Sequence, residues 1–371
     1  MSNILHVVNV VGARPNFMKV APLMRAYLLH RERIHASLVH TGQHYDEDMS
    51  SVFFEQLGIP PPDVFLGVGS GSHAVQTAKV MIEFEKVVTC EKPDVVVVVG
   101  DVNSTLAATL VAAKLEIPVA HVEAGLRSWD RTMPEEINRI ATDSLSTFLF
   151  TTSRDANANL LKEGIPESSI HFVGNTMIDT MNMMKPHLSS SSIAGSLLLK
   201  GEKYVYMTLH RPSNVDERDT LEGICSGLEE LGKSIAIVLP LHPRTRKMLE
   251  TFGLLKRLRA AKGIRLCEPV SYIDSLSLMS GASFVLTDSG GIQEETTVLG
   301  VPCLTLRDNT ERPVTVLEGT NEVIGSSGPA IISHANRLLA GDRKEGRIPE
   351  LWDGKASGRI VDALLTRLSF V

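Results

Sequence analysis

Aromatic side chains are scarce in this chain. Phe, Trp and Tyr make up 5% of 371 residues, with two tryptophans, so its cores are aliphatic, built of Val, Leu, Ile and Ala. Cysteine is equally sparse. Cys90, Cys225, Cys267 and Cys303 stand far apart with no C-x-x-C pair, which argues against a zinc knot or a disulfide framework and fits reduced thiols. No apolar run approaches the roughly 18 residues of a membrane span. The opening MSNILHVVNVVGARP has no charged n-region or small-residue cleavage site and reads directly as a first strand. The expectation is a cytoplasmic protein with no membrane partner. An excess of positive charge is missing too: Lys+Arg number 37 and Asp+Glu 43, a formal charge of −6. With no basic run, a broad nucleic-acid surface is excluded. A small anionic ligand is not, since it needs only a local cluster of donors. There is no Walker A sequence, and GVGSGS (Gly67–Ser72) lacks the third glycine of G-x-G-x-x-G. ATP hydrolysis and a nicotinamide fold therefore lose their main support.

What the chain does have is apolar material, 43% of residues against 22% charged, enough for large cores and too much for extensive disorder. The length suits two domains. Short apolar, β-branched runs recur, each followed by a polar or glycine-rich turn and a helix-like stretch. In the first half they are Leu5–Val11, Ala36–His40, the five valines Val95–Val99, Val119–Val122 and Phe148–Thr151. Strands apolar on both faces belong to parallel sheets covered by helices on both sides, so the order predicts a doubly wound α/β domain. Met183–Ser196, with a proline, a serine run and a glycine, reads as a loop or hinge. The pattern then restarts with Tyr204–Leu209, Ile235–Leu239, Ile264–Leu266, Phe284–Thr287 and Pro302–Leu306. Helices are expected over Thr220–Leu231, over Ile292–Leu299 with Gly300 as its stop, and over Ala356–Leu368 at the end.

Open parallel sheets bind ligands beyond the carboxyl ends of their strands, so the residues after each run are informative. They are Gly12-Ala13-Arg14-Pro15-Asn16, Gln43-His44, Gly100-Asp101 and Glu123 in the first half. In the second they are His210-Arg211, then His242 and Arg244, then Asp288-Ser289-Gly290-Gly291. Asp101 reads equally as a cap for a helix starting near Asn103. Glu123, after an apolar strand and before Ala124-Gly125, needs a partner, for which Arg127 and Arg139 are the candidates. Asp288–Glu295 runs from a strand through Ser-Gly-Gly into a helix, a phosphate site by its glycines and free N–H groups; the alternative is an ordinary capped helix with solvated glutamates. Lys19, near a helix N-terminus, stands at the wrong end for a cation by dipole logic, which favours a ligand-facing role. Met133–Arg139 reads as an ordinary helix start with two acids in its first turn.

Together the strings GARPNFMKVAPL, TGQHYD, VVGDVNSTLA, HVEAGLRS, MPEEINR, HRPSNVD, PLHPRT, TDSGGIQEE and GVPCLTLRDNTERPVTVLEGTN resemble the non-hydrolysing UDP-N-acetylglucosamine 2-epimerases. The match runs in order and at matching spacing over most of the chain. The resemblance implies two Rossmann-like lobes of the glycosyltransferase-B fold with the active site in the cleft between them. It implies a lobe over residues 1–182 for sugar chemistry and dimer contacts, a UDP-binding lobe over 183–355, and a C-terminal helix within 356–371 returning to the first lobe. It also implies a homodimer that interconverts UDP-N-acetylglucosamine and UDP-N-acetylmannosamine with no metal and no cofactor. The C2 proton of the sugar is not acidic, because no carbonyl adjoins it. Expelling UDP from C1 while removing that proton gives the C1–C2 alkene, 2-acetamidoglucal; UDP then returns and a proton reaches the other face of C2. Such a route needs acid/base groups near C2 and cations on the leaving diphosphate.

By resemblance Asp101, Glu123 and Glu135 are the carboxylates around the sugar, which displaces the plain helix-start reading of Glu135. His210 stabilises the departing phosphate. Arg14, Lys19 and the Ser289-Gly290-Gly291 turn hold the diphosphate, Glu295 the ribose hydroxyls, and Arg139 with Asp308–Arg312, Arg312 included, completes the cleft. Many bacterial members bind a second substrate molecule as activator, and Gln43, His44, Arg211 and His242 are the matching candidates here. The chain departs from the family at Tyr45-Asp46, where basic and amide residues are common, and in Val68–His73, which lacks an arginine frequent there. It also has Gly-Ala-Arg-Pro-Asn for the commoner Gly-Thr-Arg-Pro-Glu, a variation that fits a different acetamido sugar. The alternatives are a 2-epimerase of a modified sugar such as a diacetamido uronic acid, a hydrolysing relative releasing N-acetylmannosamine and UDP, a glycosyltransferase of the same fold, and a non-catalytic sugar-nucleotide binder.

Overall fold

The computed structural model describes residues 4–43 and 57–368. The chain divides into two units: Met1–Met183 with Glu350–Val371, and Met184–Pro349.

Among the described residues the first unit is built on seven parallel strands: β1 (Leu5–Val11), β2 (Ile34–His40), β3 (Val64–Phe65), β4 (Val95–Val99), β5 (Val119–Ala124), β6 (Phe148–Thr151) and β7 (Ile170–Phe172). Their order is β3-β2-β1-β4-β5-β6-β7. The five valines of β4 are all fully buried, as a central strand covered on both faces requires. Val8, Val10, Val96, Val98, Phe84 and Ala108 form one aliphatic cluster between this sheet and its helices. β3 and β7, of two and three residues, went unseen in the sequence because runs that short carry no period.

The helix Ala356–Leu368 belongs to this unit. Asp179 accepts from the Ala356 and Ser357 backbone N–H groups at 3.1 and 2.7 Å and from the Ser357 hydroxyl at 2.7 Å. A carboxylate from elsewhere in the sequence thus serves the helix N-terminus, where it also meets the positive end of the dipole.

The second unit repeats the plan with six parallel strands: β8 (Tyr204–Thr208), β9 (Ala236–Pro240), β10 (Ile264–Cys267), β11 (Phe284–Thr287), β12 (Cys303–Thr305) and β13 (Asn321–Val323). The order is β10-β9-β8-β11-β12-β13. Its core holds Val205, Met207, Ile237, Leu239, Leu286 and Leu304 from the strands and Leu221, Ile224 and Leu228 from the helix Arg218–Leu231. The helix expected from Ile292 begins two residues earlier, at Gly290, and Gly300 ends it with φ +69. The expected loop over Met183–Ser196 is instead a set of short helical turns, Lys185–Ser190 and Ile193–Ser196. Pro186 stands in the first turn of the former, where a missing N–H costs nothing. Both sheets are doubly wound and parallel, the α/β class expected.

Candidate active site

In the first unit the strand order reverses between β1 and β4, the place where an open sheet leaves a crevice beyond its strand ends. Asn16 ties the two loops there. Its side-chain oxygen accepts from the Gly12 and Ala13 N–H groups at 3.2 and 3.0 Å, and its amide donates to the Val99 carbonyl at 2.9 Å. Arg14 opens the helix Arg14–Leu28. One turn on, Lys19 is buried and pairs with Glu123.

That pairing corrects the expectation that Arg127 or Arg139 partners Glu123. Arg127 instead meets Asp143 at 2.7 Å and Glu163 at 2.7 and 2.6 Å. Arg139 bonds Asp101 at 3.1 Å and Glu136 at 2.9 Å. The reason is local backbone geometry. β5 carries a register shift between Val122 and Ala124, and Glu123 has φ +74. A bulge breaks the in-out alternation and re-aims the side chain. A left-handed glutamate costs on the order of 1–3 kcal/mol, a strain that clusters at functional sites.

The close packing beyond the bulge has a measurable consequence. Gly125 has φ +79, and a Cβ there would lie 2.5 Å from the Ala156 carbonyl oxygen. Gly125→Ala is expected to destabilise the fold by about 2–3 kcal/mol or more, read as a lowered unfolding midpoint in urea. An unchanged midpoint would deny the close approach.

Asp101 is not a helix cap. The helix Asn103–Lys114 has Val102 at its N-cap, without a side-chain cap bond. Gln43 reaches it instead, its side-chain oxygen accepting from the Ser104 N–H at 3.2 Å and hydroxyl at 2.7 Å. Asp101 keeps about a quarter of its side chain exposed beside Arg139, and Asn138 donates to its carbonyl at 2.9 Å. Glu135 is half-buried in the first turn of the helix Pro134–Leu145. Its neighbour Glu136 is fully buried and accepts from the Ser128 N–H and hydroxyl and the Trp129 N–H, each at 2.9 Å, besides Arg139. The helix start is therefore no ordinary solvated one. Of the candidate activator residues, His44 lies outside the described residues.

In the second unit the reversal falls between β8 and β11, and His210 and Asp288 follow those two strands. His210 Nδ1 lies 3.0 Å from Asp288 Oδ1. The other Asp288 oxygen accepts from the His210 and Arg211 N–H groups at 2.9 and 2.8 Å and from Asn214 at 3.2 Å. Burial pushes the Asp288 carboxyl up, but the His210 bond and charge and the backbone donors outweigh it and hold it below its usual range. His210 remains about one-third exposed. The His242 ring stands 5.4 Å from that of His210, and its Nδ1 accepts from the Arg244 N–H at 3.2 Å. Two of the other activator candidates, Arg211 and His242, thus sit beside His210.

The helix Gly290–Leu299 begins with Ser289 at its N-cap and no side-chain cap bond. Asp288 is engaged with His210 instead, and Glu294 and Glu295 are both buried. The capped helix with solvated glutamates is therefore excluded; the Ser289 N–H donates to the Thr287 hydroxyl at 3.0 Å, which leaves the Gly290 and Gly291 N–H groups of the turn for an anion. Gly290 is required by close approach: a Cβ would fall 2.5 Å from Arg312 Nη1 and 2.6 Å from Glu311 Oε1. Arg312 is buried under this turn, 2.7 Å from Glu294 through Nε and paired with Glu311. Glu295 accepts from the Tyr272 hydroxyl at 2.6 Å. Burial pushes its carboxyl up to about 7, with the Glu294 charge adding to the rise and the Tyr272 bond opposing it.

Several of these residues were not singled out from the sequence. His121 sits inside the apolar run of β5, where an imidazole is out of place, and that was a legible signal. Tyr272 and Asp143 carried none, because their partners are brought by other elements. Among the described residues no group of three or more His, Cys, Asp or Glu is placed to hold a metal ion.

Two doubly wound parallel sheets, each with its polar residues at the switch point, define a two-unit α/β protein with a candidate ligand site at the strand ends of each unit. Comparison with known proteins narrows the class. The profile of the UDP-N-acetylglucosamine 2-epimerase family matches residues 27–365. The chain is 45% identical over 360 residues to the UDP-N-acetylglucosamine 2-epimerase of Methanocaldococcus jannaschii, covering 96% of this chain and 97% of that one. It is 39% identical to the UDP-2,3-diacetamido-2,3-dideoxy-D-glucuronate 2-epimerase of Pseudomonas aeruginosa, covering 97% and 99%. The crystal structure of the M. jannaschii enzyme in complex with UDP-GlcNAc and UDP matches with a TM-score of 0.90 at 44% identity, covering 98% of this chain and 100% of that one. The chain belongs to the UDP-N-acetylglucosamine 2-epimerase family.

Proposed function

We propose that this chain interconverts UDP-N-acetylglucosamine and UDP-N-acetylmannosamine by elimination and re-addition of UDP. The observation that carries the reading is Glu123, a strained carboxylate turned by a bulge toward Lys19 at the β1/β4 switch point, with Asp101 beyond the neighbouring strand. In this reading a carboxylate among Asp101, Glu123 and Glu135 takes the C2 proton as the C1–O bond breaks. The electron pair of the C–H bond forms the C1–C2 double bond, and the diphosphate leaves with the C1–O pair. That charge is met at Ser289-Gly290-Gly291 and Arg312, with His210 donating to the departing phosphate and Glu295 holding the ribose hydroxyls. Arg14 adds a cation for the diphosphate. Lys19 acts through Glu123, as its buried pairing suggests. Gln43, His44, Arg211 and His242 remain the candidates for an activator molecule. The reading includes a homodimer, tested by light scattering, working in the cytoplasm; among the described residues no helix is long and apolar enough to cross a membrane.

Proton NMR in deuterated water tests the whole. Reversible formation of the UDP-linked mannosamine, with deuterium entering at C2, is the expected result. Accumulating free N-acetylmannosamine and UDP selects the hydrolysing reaction. Turnover of a diacetamido uronic acid alone selects the chemistry named for the P. aeruginosa relative. An acceptor requirement without exchange at C2 overturns the epimerase reading.

UDP binding is expected to depend on pH through Glu295. As a carboxylate it accepts from both ribose hydroxyls; protonated, it loses that capacity. With its carboxyl raised to about 7, the UDP dissociation constant is expected to rise as pH falls below that value, by up to about tenfold per unit. Tyr272→Phe removes a bond that opposes the rise, so the midpoint should move upward. Calorimetric titration of UDP across the neutral range checks both, and a flat profile removes Glu295 from the ribose.

A further inference from the structure

His121, in the middle of β5, has no exposed surface. Its Nδ1 lies 2.7 Å from Asp143 Oδ1 and its Nε2 lies 2.9 Å from the Gly100 carbonyl oxygen. A backbone carbonyl only accepts, and an ionised carboxylate only accepts. Asp143 is held ionised by its other partners: Oδ2 receives Arg127 at 2.7 Å and the Gly125 N–H at 3.1 Å. Burial pushes its carboxyl up, but the charges and bonds of His121 and Arg127 outweigh it and hold it below its usual range. A neutral imidazole of either tautomer would aim a lone pair at an acceptor oxygen. Both ring nitrogens therefore carry protons. Glu163, at the solvent edge and bonded to Arg127 at 2.6 Å, brings the set to two cations and two anions, which balance.

The positions of these bonds matter. Gly100, with φ +70, immediately precedes Asp101. Gly125 follows the bulged Glu123 by two residues, and His121 precedes it by two. Asp143 thus grips the bulge on both sides through His121 and the Gly125 N–H, while His121 reaches across to the loop that presents Asp101. We propose that His121 is a positioning residue: locked as an imidazolium between Asp143 and the Gly100 carbonyl, it fixes the backbone that presents Asp101 and Glu123. The assignment rests on the proposed function, in which these two carboxylates act on the sugar.

The test joins a kinetic split with a spectroscopic one. In His121→Gln, kcat is expected to fall about 10- to 100-fold, the order of loss that misplaced catalytic groups produce. KM should stay within about twofold, since none of the proposed diphosphate contacts, Arg14 included, is bonded to His121 or Asp143. A folded His121→Gln protein with wild-type kcat overturns the proposal. Ring-nitrogen NMR on the 15N-histidine-labelled wild-type protein should show both His121 nitrogens protonated, as two acceptor partners require. One unprotonated nitrogen overturns it, whether or not any variant folds. Asp143→Asn, nearly isosteric, turns its amide N–H toward Nδ1 and should leave Nε2 alone protonated; two protonated nitrogens there count against the lock. If the wild-type protein turns over no UDP-acetamido sugar, the functional reading falls, while the nitrogen spectra still judge the imidazolium by themselves.

Discussion

Glu123→Gln is expected to lower turnover by about 10²- to 10⁴-fold, the range set by loss of a positioned acid or base, with UDP binding left within about twofold. The variant is informative because it keeps the local structure. The glutamine oxygen still accepts from Lys19, so the buried ammonium keeps a partner, and the side-chain length and the bulge are unchanged. Glu123→Ala would be a poor substitute. It strands a buried cation, and breaking such a pair costs about 3–5 kcal/mol, so lost activity would be mixed with lost fold. Single-turnover assays in deuterated water separate the effects: Glu123→Gln should bind UDP-N-acetylglucosamine yet exchange C2 hydrogen only slowly. A rate within a few-fold of wild type, with the unfolding midpoint unchanged, would reduce the Lys19–Glu123 pair to a structural ion pair and remove the proposed chemistry from it.

The second large effect is expected at His210 and the carboxylate behind it. His210→Ala should lower turnover by about 10²- to 10³-fold, by removing the proposed donor to the departing phosphate. Asp288→Asn should lower it by about 10²-fold although Asp288 is fully buried behind His210. The amide oxygen must stay with the His210 and Arg211 N–H groups, which leaves the amide N–H facing Nδ1. The imidazole is then forced into the other tautomer and its cationic form loses a counter-charge, the effect a buried Asp–His pair exerts in other enzymes. Stability gives an independent reading. Because the folded-state Asp288 pKa is depressed, its contribution is present above the ordinary carboxylate value of about 3.9 and is lost as pH falls through the folded value. Asp288→Asn should therefore flatten the acid limb of the stability profile while leaving His210→Ala-like activity. Full turnover in both variants would make the pair purely structural.

The two large-effect sites differ in how they can be read. His210 was visible because it closes an apolar strand, and Glu123 because a carboxylate after such a strand must be explained. What each one meets was not visible. Lys19 lies 104 residues before Glu123, and the sequence offered Arg127 and Arg139 as nearer partners; the bulge at Glu123 turned the side chain away from both. Asp101 looked as much like a cap as a functional acid until Gln43, 61 residues from Ser104, proved to serve that helix. Glu136, read with Glu135 as an ordinary helix start, became a buried acceptor for the Ser128-Trp129 turn. Tyr272 gave no signal at all, since its bond to Glu295 spans 23 residues and two helices.

The order of the longer strands, the parallel class and the edge on which polar residues gather were determined by the sequence alone. Those properties are encoded in contiguous residues: a strand buried on both faces must be an unbroken apolar run, and the residues directly after it must lie at its carboxyl end. Which acid meets which cation, and which two oxygens flank the buried His121 imidazole, were decided only by the tertiary structure. The physical reason is the crossover topology. It sets β1 beside β4 and β8 beside β11, so each switch point joins loops far apart in the chain, and a bulge or left-handed residue then aims side chains in directions that no local pattern records.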